Sequence, residues 1–226
     1  KNQFSQDLQK YKIRQQYNFG DYVKFYKPQT EFTTDFDNTV EVVGQVFCGY
    51  IVAQKENDLY VFDQHAAAER IRYEAYTKAI DSHTLKIQPL LIQENFETSA
   101  SVCEILKENL EVLSDLGFSV SEFGDRTFKI NAYPAILGAI SIEPIIRKIL
   151  DDIEQNKNID IKQKREIIIM RSCRESIKAG DALPILEAKK LISDLFKCDN
   201  PFTCPHGRPT AWTISKNDLE KFFKRK

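Results

Sequence analysis

The chain has 226 residues, 42% hydrophobic and 29% charged, enough to bury a real core in one or two domains. Its 32 basic and 33 acidic residues leave a formal net charge of −1, which excludes the electrostatic footprint of a domain that grips DNA unaided. No apolar run is long enough to cross a bilayer and no signal-peptide core opens the chain, so no membrane partner is expected; Lys1 in place of Met is expected of a fragment of a longer protein.

Residues 1–42 are polar and aromatic without sustained periodicity, as in Tyr17-Asn18-Phe19-Gly20-Asp21-Tyr22, and read as largely irregular linker. Residues 42–53 read as one strand, 55–58 as a polar turn and 59–63 as the returning strand, followed by a helix over 65–79. The stretch 85–96 is extended and interrupted by Pro89. A helix over 99–116 follows, with Val102, Ile105, Leu106, Leu110 and Leu113 at helical spacing and Gly117 as its stop. A hairpin over 118–132 turns at Gly124-Asp125. Helices are expected over 144–153, 162–178 and 184–196, the second ended by Gly180 and the third with Pro at its first turn. A strand over 210–214 and a helix over 217–224 close the chain. Strands and helices mix without strict βαβ alternation, so the expected class is α+β.

Five cysteines, an odd number, do not make a dense disulfide framework and favour a reducing compartment. Cys48 in an apolar strand and Cys103 in a helical pattern read as core. Cys198 is close to Cys204 but not at the spacing of a tight metal loop, and its role stays open.

Three clusters carry chemistry. Asp63 sits where strand gives way to helix; His65 and Glu69, four apart, share one helix face, so all three side chains could reach one ion near the helix start. Glu74 points aside and is the weaker candidate. For this cluster alone the plain alternative is an acidic helix start that complements the helix dipole. Cys204-Pro205-His206-Gly207-Arg208-Pro209 holds a thiolate and an imidazole on one loop restrained by its prolines and glycine, and Cys173, within Ser172-Cys173-Arg174, offers a second thiolate from a helix. Only three histidines exist, and two fall in these clusters. Thiolate and imidazole suit Zn2+, and the carboxylates could complete a harder site for Mn2+ or Mg2+. Paired ions are a usual device for phosphodiester cleavage.

The run Asp63-Gln64-His65-Ala66, then Glu69, then Glu74, resembles the endonuclease motif of the MutL mismatch-repair proteins. The two later clusters resemble that family's later motifs in the right order, and the closing segment from Leu219 resembles its last helix. Ser172 stands where many relatives have Ala. The resemblance covers residues 43–226 and implies a homodimeric DNA-nicking endonuclease that binds zinc, is driven by manganese or magnesium, and works with other mismatch-repair proteins in the bacterial cytosol beside the nucleoid. It implies catalytic roles for Asp63, His65 and Glu69, and metal ligation by these three with Cys173, Cys204 and His206. It also implies a dimerisation subdomain (43–82 plus 174–226) with a regulatory subdomain (83–173) inserted in it, and an ATPase domain upstream. Gln88, Leu90, Leu91 and Ile92 resemble the peptides that dock on the bacterial replicative sliding clamp, with Pro89 keeping the segment extended; an ordinary edge strand is the alternative. Two other functions compete: a non-catalytic dimerisation module with structural zinc, and, further off, a Cys-His hydrolase with Cys204 as nucleophile.

Overall fold

The computed structural model describes residues 40–156, 159–177 and 182–225. Most of the stretch read as linker therefore lies outside the described residues, while Glu41 and Val42 already belong to a strand. Strands β1 (Glu41–Val46), β2 (Tyr50–Lys55) and β3 (Asp58–Asp63) form an antiparallel meander. The expected single strand over residues 42–53 is in fact a hairpin. Its turn is made by Phe47 and Cys48 at φ 52° and 47°, and the Gly49 N–H donates back to Val46 O. Left-handed turn residues suit the twist of a hairpin, but Phe and Cys carry no turn signal that a sequence reading would catch.

Helix α1 (Gln64–Asp81) starts directly at the end of β3. Asp63 caps it, its Oδ1 accepting the Ala66 N–H at 2.9 Å, and the following alanines favour helix with no side-chain entropy cost. The helix stops at Ser82, and His83 takes a left-handed φ of 55°.

Strand β4 (Ile87–Glu97) pairs with β6 (Thr127–Pro134) at both ends, but the register shifts between Pro89 and Glu94. Between these strands lie helix α2 (Ala100–Asp115), capped by Ser99, and β5 (Ser119–Gly124), giving a sheet of order β4-β6-β5. Gly117 ends α2 at φ +86°; a Cβ there would meet Ile87 Cδ1 at 2.7 Å, so both the backbone and the close approach require glycine. Helix α3 (Glu143–Gln155) has no side-chain cap of its own. Glu94, reaching over from β4, accepts the N–H groups of Ile142 and Glu143 at 3.1 and 2.9 Å and the Ser141 hydroxyl at 3.4 Å. Helix α4 (Ile161–Glu175) opens with a capping box in which Asp160 and Gln163 bond reciprocally. Phe96, Leu106, Leu113, Phe118, Phe128, Ile146, Ile149 and Ile168 pack between this sheet and helices α2 to α4. Arg171 of α4 grips Asp152 of α3 through two bonds of 2.6 and 2.7 Å.

Helix α5 (Ile185–Phe196) packs on α1 and β1. Strand β7 (Ala211–Ser215) then pairs with β3, completing a sheet of order β1-β2-β3-β7, and helix α6 (Lys216–Phe222) follows. The fold is α+β. Helix α4 contacts both α1 and α3 and so joins the two sheet layers. Among the described residues no helix is long and apolar enough to cross a membrane.

Glu94 acts as a helix cap borrowed from another element, so Glu94→Ala should destabilise the domain by about 1–2 kcal/mol, in the range of cap deletions. Urea unfolding with an unchanged m-value measures it. A loss under about 0.5 kcal/mol, the scale of an ordinary surface change, would show that the cap contributes nothing special.

Candidate metal centre

The register of β7 on β3 decides where the last cluster falls. Phe62 pairs with Ala211, and the Asp63 N–H donates to Thr210 O at 2.9 Å, so the chain just before β7 lies against the start of α1. This preceding loop is itself closed. Thr203 and Pro209 form an antiparallel bridge, the Cys204 N–H donates to Arg208 O at 2.8 Å, and the Gly207 N–H donates to Cys204 O at 2.9 Å with Gly207 at φ +79°. Phe202 stacks edge-on against Phe196, which does the same against Phe62, so the loop rests on the sheet core.

The consequence is a tight group. Ligand atoms of Glu69, Cys204 and His206 all lie within 4.8 Å of one another, and no other group of three or more such residues exists among the described residues. Glu69 has no solvent access and Cys204 is buried, while the His206 side chain keeps 28% exposure. His206 Nδ1 is 2.6 Å from Glu69 Oε1, yet the pair lacks the alignment of a hydrogen bond, leaving that carboxylate oxygen buried with no hydrogen-bond donor. Arg208 Nη2 lies 3.4 Å from Glu69 Oε2. Its bond to Cys204, set against the opposing effect of burial, and the nearby Glu69 and Asp63 charges hold the guanidinium pKa above its usual value.

The remaining predicted residues stand around this group rather than in it. Asp63 caps α1 at the mouth of the β3–α1 junction. His65, one turn before Glu69, has a buried Nδ1 with no hydrogen-bond partner. Cys173 sits on α4 within the core of the second sheet, beside Tyr76. Burial pushes its thiol pKa well up, only partly countered by Arg72, and the Glu69 and Glu166 charges push the same way. Arg72 is itself lowered by burial and donates to Ser176 Oγ at 2.6 Å. Glu74 is buried and faces the loop at residues 199–203, not the three-ligand group. In β4, Gln88 donates to Pro89 O, Leu90 packs partly on the core, and Leu91 and Ile92 project into solvent across the register shift.

Carboxylate, thiolate and imidazole form a donor set suited to zinc. Two buried polar atoms without hydrogen-bond partners, Glu69 Oε1 and His65 Nδ1, are what a cation would satisfy. The residues present therefore fit a divalent metal. Two contributors escaped the sequence reading. Arg208 lay in a recognised cluster but touches two of the three ligands, and Arg70, whose Nε donates to Thr203 O at 2.5 Å, pins the loop. Only the four-residue spacing of Arg70 and Glu74 hinted at the latter.

The site defines the chain as an α+β domain with a carboxylate–thiolate–imidazole centre assembled from a strand–helix junction and a late loop. A family model described as the MutL C terminal dimerisation domain matches residues 43–183. The chain is 54% identical over 215 residues to the DNA mismatch repair protein MutL of Endomicrobium trichonymphae, covering 95% of this chain and 36% of that protein. The proteins of the same name from Staphylococcus saprophyticus and Staphylococcus aureus are 40% and 41% identical over 187 residues, 82% of this chain and 28% of theirs. This chain belongs to the MutL family of DNA mismatch-repair proteins. It spans 36% and 28% of the length of these relatives.

The different settings of the cysteines predict their reactivity. At pH 8, iodoacetamide should label the exposed Cys48 quickly, and the buried Cys103 and Cys173 only after unfolding. Peptide mass mapping at timed intervals reads this directly; rapid labelling of Cys173 in the folded protein would contradict its place in the core.

Proposed function

We propose that this domain is the metal-dependent DNA-nicking endonuclease module of a MutL-type mismatch-repair protein, and that it pairs with a second copy of itself. The observation that carries the nuclease reading is the meeting of Glu69 with Cys204 and His206 from over a hundred residues downstream, with a buried carboxylate oxygen lacking any donor. Glu69, Cys204 and His206 would hold Zn2+. Asp63 and His65 stand beside them with the oxygen and nitrogen donors that a second ion, Mn2+ or Mg2+, would take. Bound there, such ions supply a water of lowered pKa and neutralise charge on a scissile phosphate. The chain's own residues supply the rest. Glu69 lies between His206 and Arg208, the loop bridge holds Cys204 and His206 in place, and half-exposed Arg208 is free on one side to face a phosphate. Cys173 is kept as a candidate ligand of the proposal, although its place in the core sets it apart from the three-residue group.

The matching family model bears on self-pairing through its description as a dimerisation domain. Support from this chain is the outer face of the first sheet, where Val52, Val61 and Trp212 lie side by side in register and Val43, Val46 and Tyr50 are exposed. Strand β7 returns to the sheet begun by β1 to β3, which supports reading 83–173 as an inserted regulatory subdomain. Partners on this reading are DNA, other mismatch-repair proteins and the replicative sliding clamp, with the protein acting beside the nucleoid in the bacterial cytosol. Exposed Leu91 and Ile92 and the break in the β4 register support the clamp contact.

The rival reading keeps zinc as a purely structural ion, and Asp63 separates the two because a closed structural site has no use for it. Asparagine caps a helix as well as aspartate does, so Asp63→Asn should keep the fold and bound zinc while manganese-dependent nicking of supercoiled plasmid drops to background. Nicking at the wild-type rate would refute the nuclease assignment, and a zinc-loaded wild type that never nicks would favour the structural ion. For the clamp, Leu91→Ala with Ile92→Ala should weaken binding by about tenfold or more, since exposed apolar anchors of this kind carry peptide affinity. Surface plasmon resonance on immobilised clamp measures it; equal affinity would assign the segment to the fold alone.

A further inference from the structure

We propose that Glu74, working with Arg70, is a positioning residue: it fixes the Cys204–His206 loop against the helix that carries Glu69, and so sets the affinity of the three-residue group for a thiophilic divalent cation. The inference rests on the metal reading above and goes beyond it by giving the last acid of the helix cluster a role other than ligation.

Both oxygens of Glu74 are already engaged. Oε2 accepts the Asp199 N–H at 2.7 Å and Oε1 accepts the Asn200 N–H at 3.0 Å. A carboxylate taking two backbone N–H groups makes strong, charge-assisted bonds, and burying it without such partners would be costly. Its side chain retains only 10% exposure. Arg70, one turn earlier, places Nη1 3.6 Å from Glu74 Oε1 and donates from Nε to Thr203 O, the residue before Cys204. One turn later, Lys78 lies 3.6 Å from Glu74 and 3.1 Å from Asp199. Arg70, Glu74 and Lys78 thus form one helix stripe at i, i+4 and i+8 that grips residues 199–203, the first two through their backbone and Lys78 through the Asp199 carboxylate.

That grip is transmitted. From Thr203 onward the loop is closed by the Thr203–Pro209 bridge and the Cys204–Arg208 bond, so it moves as a unit. Glu69 is the neighbour of Arg70 on the same helix. With the stripe intact, thiolate, imidazole and carboxylate are held at ligand spacing before any ion arrives. Loss of the stripe leaves the loop tied through β7, its aromatic contacts and the Arg208 and His206 contacts to Glu69 itself. Groups that orient metal ligands from outside commonly change affinity by about 10–100-fold when mutated.

The test is Glu74→Gln. The amide keeps the volume but has one acceptor oxygen, and its NH2 would confront a backbone N–H. Metal binding is read with Zn2+ by chelator competition and with Co2+ through the thiolate-to-cobalt charge-transfer band. Glu74→Gln should weaken both ions by at least about tenfold and alter the cobalt band, while Leu106→Ala, a core change in α2, should lower thermal stability and leave metal affinity and band unchanged. Arg70→Gln, which keeps the Glu74 bonds to the Asp199 and Asn200 N–H groups but loses the ion pair with Glu74 and the grip on Thr203, should give a smaller loss in the same direction and serves if Glu74→Gln does not fold. Wild-type affinity and an unaltered band in both Glu74→Gln and Arg70→Gln would overturn the positioning role while leaving the metal reading intact. A wild-type protein that takes up neither ion would overturn the metal reading and this inference with it.

Discussion

Glu69 is a carboxylate with no access to water, on a helix whose nearest preceding residues are alanines that offer it nothing. A carboxyl group in such a place needs polar partners or it destabilises the fold. Part of this comes from a late loop: Arg208 Nη2 donates to Oε2 at 3.4 Å and His206 Nδ1 lies 2.6 Å from Oε1, which is still left without a hydrogen-bond donor. That loop is delivered by the pairing of β7 with β3, one strand bond short of the helix start. The pairing, the buried acid and the closed loop are therefore one arrangement. Disturbing the β3–β7 register would expose or strand the acid, so the site and the first sheet are expected to be lost together.

The second sheet contributes in a different way. Its helices α2 and α3 pack the larger apolar core, and α4 links that core to α1. The link is a mixture of packing and directed polar contacts: Arg72 reaches Ser176, and Tyr73 donates to Glu166 at 2.6 Å. Burial first, and then the Glu166 bond, pushes the Tyr73 pKa to about 12. The phenol thus keeps its proton wherever the protein is used, and α4 holds α1 on the face that also carries Glu69, since Glu69, Arg72, Tyr73 and Tyr76 follow one another at i, i+3, i+4 and i+7. Cys173 belongs to this contact, which explains why a cysteine in a metal-like sequence cluster sits among Tyr76 and the isoleucines while still feeling the Glu69 charge.

Much of this was legible because it is written locally. Capping residues marked the helices: Asp63 and Ser99 each accept an N–H three residues on, and Gly117 stops α2 where a side chain would collide with Ile87. The hairpin of β5 and β6 announced itself through Gly124-Asp125. The β1–β2 turn did not, since Phe47 and Cys48 adopt left-handed backbone without being turn formers, and the sheet twist imposes what their identity does not suggest. At the site, residue types and order gave the candidates, but not which of them meet. His65 and Glu69 share a helix face by periodicity, yet only Glu69 joins the tight group. Whether Cys173 points inward to the core or outward to the loop depends on the rotation of α4 against α1, which no spacing within α4 encodes. The borrowed cap of Glu94 on α3 was invisible for the same reason: donor and acceptor are 48 and 49 residues apart.

Charge brings the two halves of the molecule into one functional argument. A domain of net charge −1 has little electrostatic hold on DNA, and the first sheet offers mainly apolar surface, suited to a protein partner. Any action on DNA must then borrow its residence time. Strand β4 has the form for such a contact: an edge strand that abandons its neighbour between Pro89 and Glu94 and turns Leu91 and Ile92 outward. Edge strands that expose apolar side chains invite pairing, and Pro89 limits that pairing by withholding an N–H. What remains is a short extended peptide that can enter a groove without seeding a sheet. On the proposed reading, tethering to a ring on DNA raises the local concentration of a cleaving site whose own affinity is weak. On that same reading the near-neutral charge becomes a restraint, because a nuclease with little hold on DNA would cut only where a partner places it.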